Sequence, residues 1–146
     1  MQKISPFLWF NGQAEEAAKF YIGIFKHSKI VTATPMSVTF ELEGQRFYAL
    51  NGGPQYTFTP AISLFVDCEN QAEVDQLWAK LTAHGGKEEP CGWLRDRFGV
   101  SWQIIPKGLG AMLSDKDRTK ADRALHAMLT MKKIEIAKLE AAFAGV

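Results

Sequence analysis

The spacing of apolar residues along the chain changes in a repeated order. Residues 4–10, ISPFLWF, form a short apolar and aromatic run that suits a strand. Directly after it, Ala14, Ala17, Ala18, Tyr21, Ile24 and Phe25 recur at helical spacing, which predicts an amphipathic helix. Three strand-like segments follow, KIVTAT, MSVTFELEG and QRFYALNGG. Pro35 parts the first two, and Glu43-Gly44 is the expected tight turn between the second and third. Residues 1–53 therefore read as strand, helix, strand, strand, strand.

The same order returns in residues 60–106. PAISLFVD at 60–67 is the expected strand, and Ala72, Val74, Leu77, Trp78 and Leu81 lie mostly on one side of the helix after it, which Gly85-Gly86 should close. Strands through WLRDRF and VSWQII follow, joined at Phe98-Gly99. Both predicted helices begin with Gln-Ala-Glu, at 13–15 and 71–73, so the two halves read as a duplicated unit. GGPQYTFTP at 52–60 is the joint. It links modules of one domain spanning 1–146, because neither half could bury both faces of its own sheet.

Residues 107–146 are a helical tail. Ser114 followed by Asp117 resembles a capping box. Leu125, Met128 and Leu129 give one apolar stripe, and Ile134, Ile136, Leu139, Ala142 and Phe143 give another; the two lose phase at Thr130, which predicts two helices or a kink. The whole pattern predicts an α+β fold of two βαβββ modules.

Composition narrows the possible partners. With 17 basic and 16 acidic residues the 146-residue chain carries a net charge of +1, which argues against a nucleic-acid or membrane-surface role. The longest apolar runs are too short to cross a bilayer, and the N-terminus shows no cleavage pattern, so the expected location is the cytoplasm. Cys68 and Cys91 have neither the spacing nor the neighbouring histidines of a zinc or nucleophile site and read as reduced structural thiols. His27, His84 and His126 fall outside the strands and suit surface or interface roles. Glu15-Glu16 and Glu88-Glu89 read as solvated faces, and Gly108-Leu109-Gly110 lacks the lysine and spacing of a phosphate loop.

Over nearly its whole length, and most specifically in PFLWFNGQAEEAAKFY, CGWLRDRFGVSWQIIP and AMLTMKKIEIAKLEAAFAG, the chain resembles the PhnB-like branch of the glyoxalase/bleomycin-resistance superfamily. That superfamily is also called vicinal oxygen chelate, and the branch is also labelled demethylubiquinone methyltransferase-like. The resemblance implies two curved mixed sheets around a cleft, a homodimer, and in active members a divalent metal held by histidine and glutamate from the first, fourth, fifth and eighth strands. Carried over residue by residue, those positions fall at Ser5, Ala49, Ala61 and Gln103, none of them imidazole or carboxylate. The expectation is therefore no metal and no cofactor.

Alternation adds Phe7 and Trp9 to Ser5, Phe47 to Ala49, Ser63 and Phe65 to Ala61, and Ser101 and Ile105 to Gln103 as cleft-facing residues. Gln103 is either a ligand-binding amide or a barrel-lining one satisfied by its neighbours. Arg95 and Arg97, with Asp96 between them, either grip an acidic ligand at the cleft mouth or form an exposed ion-pair strip. The functional expectation is a cleft that binds a small apolar or aromatic molecule, with a metal-dependent lyase or dioxygenase as the alternative. Methyl transfer has least support, because Gly12 stands alone after the first strand where a donor-binding loop would be glycine-rich.

Overall fold

A computed structural model describes residues 2–146, so that Met1, the first residue of the expected first module, lies outside the described residues. The chain forms two compact units, one ending at Phe58 and the other running from Thr59 to Val146.

In the first unit the strands are β1 (Phe7–Phe10), β2 (Lys29–Ala33), β3 (Ser37–Leu42) and β4 (Gln45–Asn51), with helix α1 (Ala14–Ile22) between the first two. The sheet order is β1-β4-β3-β2, and only the β1–β4 pair is parallel. Glu43 and Gly44 both take positive φ, 49° and 82°, as a two-residue hairpin turn whose twist matches the flanking strands requires. The α1 N-terminus has no cap from its own Gln13; instead Asn51, at the end of β4, accepts from the Ala14 N–H at 2.9 Å. Tertiary structure thus supplies what the local sequence lacks. Ala14, Ala17, Ala18 and Tyr21 are buried on the face of the sheet that carries Leu8, Phe10, Val38, Phe40, Leu42, Phe47 and Ala49. The small alanines bring the helix backbone close to the sheet; beneath it the Phe40 and Phe47 rings stack, and Tyr21 meets Phe40 at a tilt of 32°.

The second unit repeats the plan with β5 (Leu64–Cys68), α2 (Gln71–Thr82), β6 (Lys87–Glu88), β7 (Trp93–Arg95) and β8 (Ser101–Pro106), in the order β5-β8-β7-β6. The parallel β5–β8 pair occupies the place of β1–β4, so the duplication read from the sequence is also one of topology. Asn70 caps α2 by accepting from Glu73 N–H at 2.9 Å, and Glu73 reaches back to Glu69 N–H at 3.0 Å. Val74, Leu77, Trp78 and Leu81 of this helix are buried, as are Cys68, Leu94, Trp102 and Ile104 on one parity of the strands.

Two expected boundaries move. The strand predicted from Pro60 begins only at Leu64, because Ala61 sits in a turn in which its N–H donates to Thr59 Oγ1 at 3.2 Å. The expected strand through WLRDRF stops at Arg95, because Asp96 turns inward: Oδ1 accepts from Phe98 N–H and Val100 N–H, and Oδ2 from the Trp102 indole. This carboxylate, 3% exposed, fixes the β7–β8 hairpin.

The tail folds as α3 (Leu109–Leu113), α4 (Arg118–Leu129) and α5 (Ile136–Ala144), broken at Thr130 where the apolar stripes lose phase. The cap of α4 is Asp117, not Ser114, which closes α3 by donating to the Gly110 carbonyl. Leu109, Met131, Ile134 and Leu139 bury Ile105 of β8. Gln71 of α2 clasps the tail with both ends of its amide, donating to Ile134 O at 2.9 Å and accepting from Ile136 N–H at 2.7 Å. Lys133 adds an ion pair to Asp75 at 2.8 Å, which holds the Asp75 carboxyl below its ordinary value, Lys133 being the largest cause and Gln71 the next. Among the described residues no helix is long and apolar enough to cross a membrane.

Candidate functional site

Each sheet turns one face to the helix beside its first strand, and the opposite parity of side chains defines a second face. On the second sheet this face is organised by register. Phe65 of β5 and Trp93 of β7 both pair with Gln103 of β8, so one cross-strand row reads aromatic, amide, aromatic. The Gln103 Nε2 donates to Ser63 Oγ at 3.0 Å, just before β5. The next row sets Lys87, Arg95 and Ser101 side by side. Phe65 is 60% exposed whereas Ser101 is 2% exposed, and the Ser101 hydroxyl has no hydrogen-bond partner among the described residues. On the other side of the aromatic row, Ile105 is covered by the tail, which closes that end of the face.

Arg95 is held by Glu89, Nε to Oε1 at 2.8 Å, and is only half-buried. Arg97 lies beyond the end of β7, in the hairpin turn, with its guanidinium 4.6 Å from the Phe98 ring centroid. Of the two arginines expected at the cleft mouth, Arg95 alone shares a row with a predicted ligand-facing residue.

The corresponding face of the first sheet is aromatic. Phe7, 62% exposed, stacks on Tyr48 at 6.4 Å between centroids. Trp9 is anchored: its indole donates to Gly53 O at 3.0 Å, Tyr56 meets it edge-on at 5.0 Å, and Gly52 lies so close that a Cβ there would come within 2.4 Å of the ring. Ser5 precedes β1 on the parity of Phe7 and Trp9. Arg46 and Glu41 pair at 3.1 Å on this face; hydrogen bonds to Glu41 first and Tyr48 next raise the pKa of the Arg46 guanidinium.

Three expected ligand-facing residues are placed differently. Phe47 and Ala49 share the parity of Leu8, since Leu8 pairs with Ala49, and both are buried on the helix side. The residue that joins Phe7 is Tyr48, one position along. A one-residue slip reverses the faces, and QRFYAL carries large apolar side chains on both parities, so its sequence gives no means of choosing. Ala61 is exposed in the turn before β5 rather than on a strand face. Trp93 was not among the expected residues; only its pairing with Gln103 brings it to the face.

Other candidate groups are inert or dispersed. Burial first, then the neighbouring Glu73 and Asp67, push the Cys68 thiol up to about 12, so it stays protonated and unreactive. His27, His84 and His126 are exposed and lie on no strand. Among the described residues no group of three or more His, Cys, Asp or Glu side chains could hold a metal ion. Of the four positions carried over from the resemblance, Ser5, Ala49, Ala61 and Gln103, none offers the imidazole or carboxylate that a divalent cation demands, and Tyr48, which the register puts beside Phe7 in place of Ala49, is neutral as well.

Residues 2–105 match the family model described as 3-demethylubiquinone-9 3-methyltransferase. The PhnB protein of Bacillus cereus is 37% identical over 72% of this chain and 99% of that one, with a TM-score of 0.64. A protein of Pseudomonas aeruginosa is 20% identical over 73% and 98% of the two chains, at a TM-score of 0.60. The fosfomycin resistance protein FosX of Mesorhizobium loti is 13% identical over 70% and 89%, at 0.53. These last two likenesses are of fold. No curated protein matches the sequence. The family model ends at Ile105, the residue the tail buries, so α3 to α5 lie outside the matched segment. The chain belongs to the 3-demethylubiquinone-9 3-methyltransferase family, the PhnB-like proteins, and has the glyoxalase/bleomycin-resistance fold.

Proposed function

We propose that the protein is a cytoplasmic binding protein for a small apolar or aromatic molecule, held on the outward sheet faces without a metal ion. The observation that carries this reading is the row Phe65, Gln103, Trp93, in which two aromatic side chains flank one amide. Exposed aromatic surface adjoining a few fixed polar groups is the usual composition of a ligand site, since burial of the ring drives binding and the polar group orients it. The Phe7–Tyr48 pair of the first unit offers a second surface of the same character.

Two measurements on the purified protein test this. Elemental analysis should find no stoichiometric divalent metal. Thermal unfolding in the presence of a panel of small aromatics should shift upward by about 5–10 °C at a hundredfold excess over Kd. A tightly held cation whose removal by chelator abolishes ligand binding would instead support the second reading, a metal-dependent lyase or dioxygenase, whose support is the fold shared with proteins such as the fosfomycin resistance protein. Methyl transfer, suggested by the family's description, has least support, since Gly12 is an isolated glycine after β1.

A homodimer is part of this proposal, because Ile4, Met36, Tyr56, Ile62 and Leu129 would otherwise leave large apolar side chains in water. Size-exclusion chromatography should give a species near twice the 16.3 kDa chain mass, and a single species at the chain mass would count against it.

A further inference from the structure

Charge is unevenly placed on the outward face of the second sheet, and it selects one end of the ligand. This inference rests on the binding reading above and deepens it. Three cross-strand rows succeed one another on that face: Lys87 with Arg95, then Trp93, Gln103 and Phe65, then Ile105 with Asp67. Cations therefore stand at one end of the aromatic row and a carboxylate, Asp67, at the other. Lys87 and Asp67 are exposed, whereas Ile105 is covered by the tail. The Ser101 hydroxyl, paired across the strands with Arg95, is closed to solvent and takes no part.

The commitments of Arg95 narrow the choice of anion. Its Nε donates to Glu89 Oε1 at 2.8 Å, and its two Nη groups have no partner among the described residues. With the Nε side taken, the end of the guanidinium still presents two parallel N–H groups, which a carboxylate matches with both of its oxygens. The Arg95 side chain is 43% exposed, so a ligand can reach those groups from solvent. Lys87, beside it in the row, has no ion pair among the described residues. Two cations and the Glu89 carboxylate leave this end of the face with one positive charge, which a monoanion neutralises and a dianion overshoots. Successive rows on one face lie about 7 Å apart, twice the rise per residue, so a ring on the aromatic row needs a short carbon chain to bring its carboxylate to Arg95. We propose that the second sheet binds an arylalkanoic acid, with its ring against Phe65 and Trp93 and its carboxylate on the Arg95 Nη groups beside Lys87, pointing away from Asp67.

The test uses four probes, hydrocinnamate, its primary amide, phenethylphosphonate as the dianion, and propanoate, titrated into the full-length protein and followed by NMR at the Trp93 indole and the Gln103 side-chain amide. Hydrocinnamate should bind about three- to tenfold more tightly than its amide, as expected for a two-pronged ion pair on an open face, and about 0.5 M salt should remove most of that preference. Arg95→Gln should bring the acid-to-amide ratio to about one. Lys87→Gln, on the exposed edge strand β6, should lower the ratio about twofold and keeps the test open should the Arg95 variant fold poorly. The amide binding as tightly as the acid, the phosphonate binding tightest, or a ratio unchanged in the two variants overturns the carboxylate inference and leaves the binding reading standing. Propanoate binding as tightly as hydrocinnamate, or no response to any of the four at millimolar concentration, overturns both.

Discussion

Removing the Asp96 carboxylate should cost about 4 kcal/mol. Asp96 is 3% exposed and accepts three hydrogen bonds, from Phe98 N–H at 2.9 Å, Val100 N–H at 3.1 Å and Trp102 Nε1 at 2.9 Å. Bonds to a charged acceptor contribute about 1.5–3 kcal/mol each, and Asp96→Ala would leave all three donors without it. Water can recover part of the loss at the half-buried Phe98 amide, which brings the sum down to about 4 kcal/mol. With a urea dependence of about 2 kcal/mol per molar, the midpoint should fall by about 2 M. Asp96→Asn is the sharper probe. It retains Oδ1 for the two backbone donors but turns an NH2 towards the Trp102 indole N–H, so it should cost about 2 kcal/mol. In the Asp96→Asn, Trp102→Phe double variant the opposing donor is gone, and the combined cost should be smaller than the sum of the single costs by about 1 kcal/mol. Urea unfolding followed by far-ultraviolet circular dichroism reads the wild type and four variants, Trp102→Phe alone being the fourth. A cost below about 1 kcal/mol for Asp96→Ala, or strict additivity in the double variant, would refute this account of the β7–β8 hairpin.

Gly52→Ala should destabilise by about 1–3 kcal/mol and alter the environment of the Trp9 indole, detectable as a shift of its NMR resonance, because the new methyl would overlap the ring; an unshifted indole would contradict the close approach. Gln71→Ala removes both hydrogen bonds of the tail clasp, and hydrogen exchange of residues 131–139 should accelerate about tenfold while β7 and β8 keep their protection; equal acceleration throughout the second unit would show that the tail does not open separately. The Cys68 thiol is raised in the folded state from 9.0 to about 12, so its contribution to stability is complete below pH 9 and declines as pH rises towards 12, where the unfolded chain loses the proton first. Relative to Cys68→Ala, the wild type should therefore show an additional downward slope of urea midpoint above pH 9, and parallel profiles would refute the shift.

The sequence by itself determined whatever rests on neighbours a few residues apart. The 3.6-residue recurrence of Ala14, Ala17, Ala18 and Tyr21, the Glu43-Gly44 turn and the loss of phase at Thr130 are local facts, and each is present in the structure. The doubled order of elements carried the fold with it, because each module repeats the same short connections. Two-residue alternation divided Phe47 and Ala49 from Tyr48 but could not say which set meets α1, since both parities of QRFYAL carry apolar bulk. Pairing across strands decided that, as it decided that Trp93 and Phe65 flank Gln103. Ala61 fell short of its strand because Thr59 captured its amide in a turn, and Asp96 left its strand because three donors converge on one carboxylate only when the hairpin closes. Strand period is written in the backbone of each segment, whereas register and face are set by the free energy of burying one side against partners distant in sequence, and only tertiary structure brings those partners together.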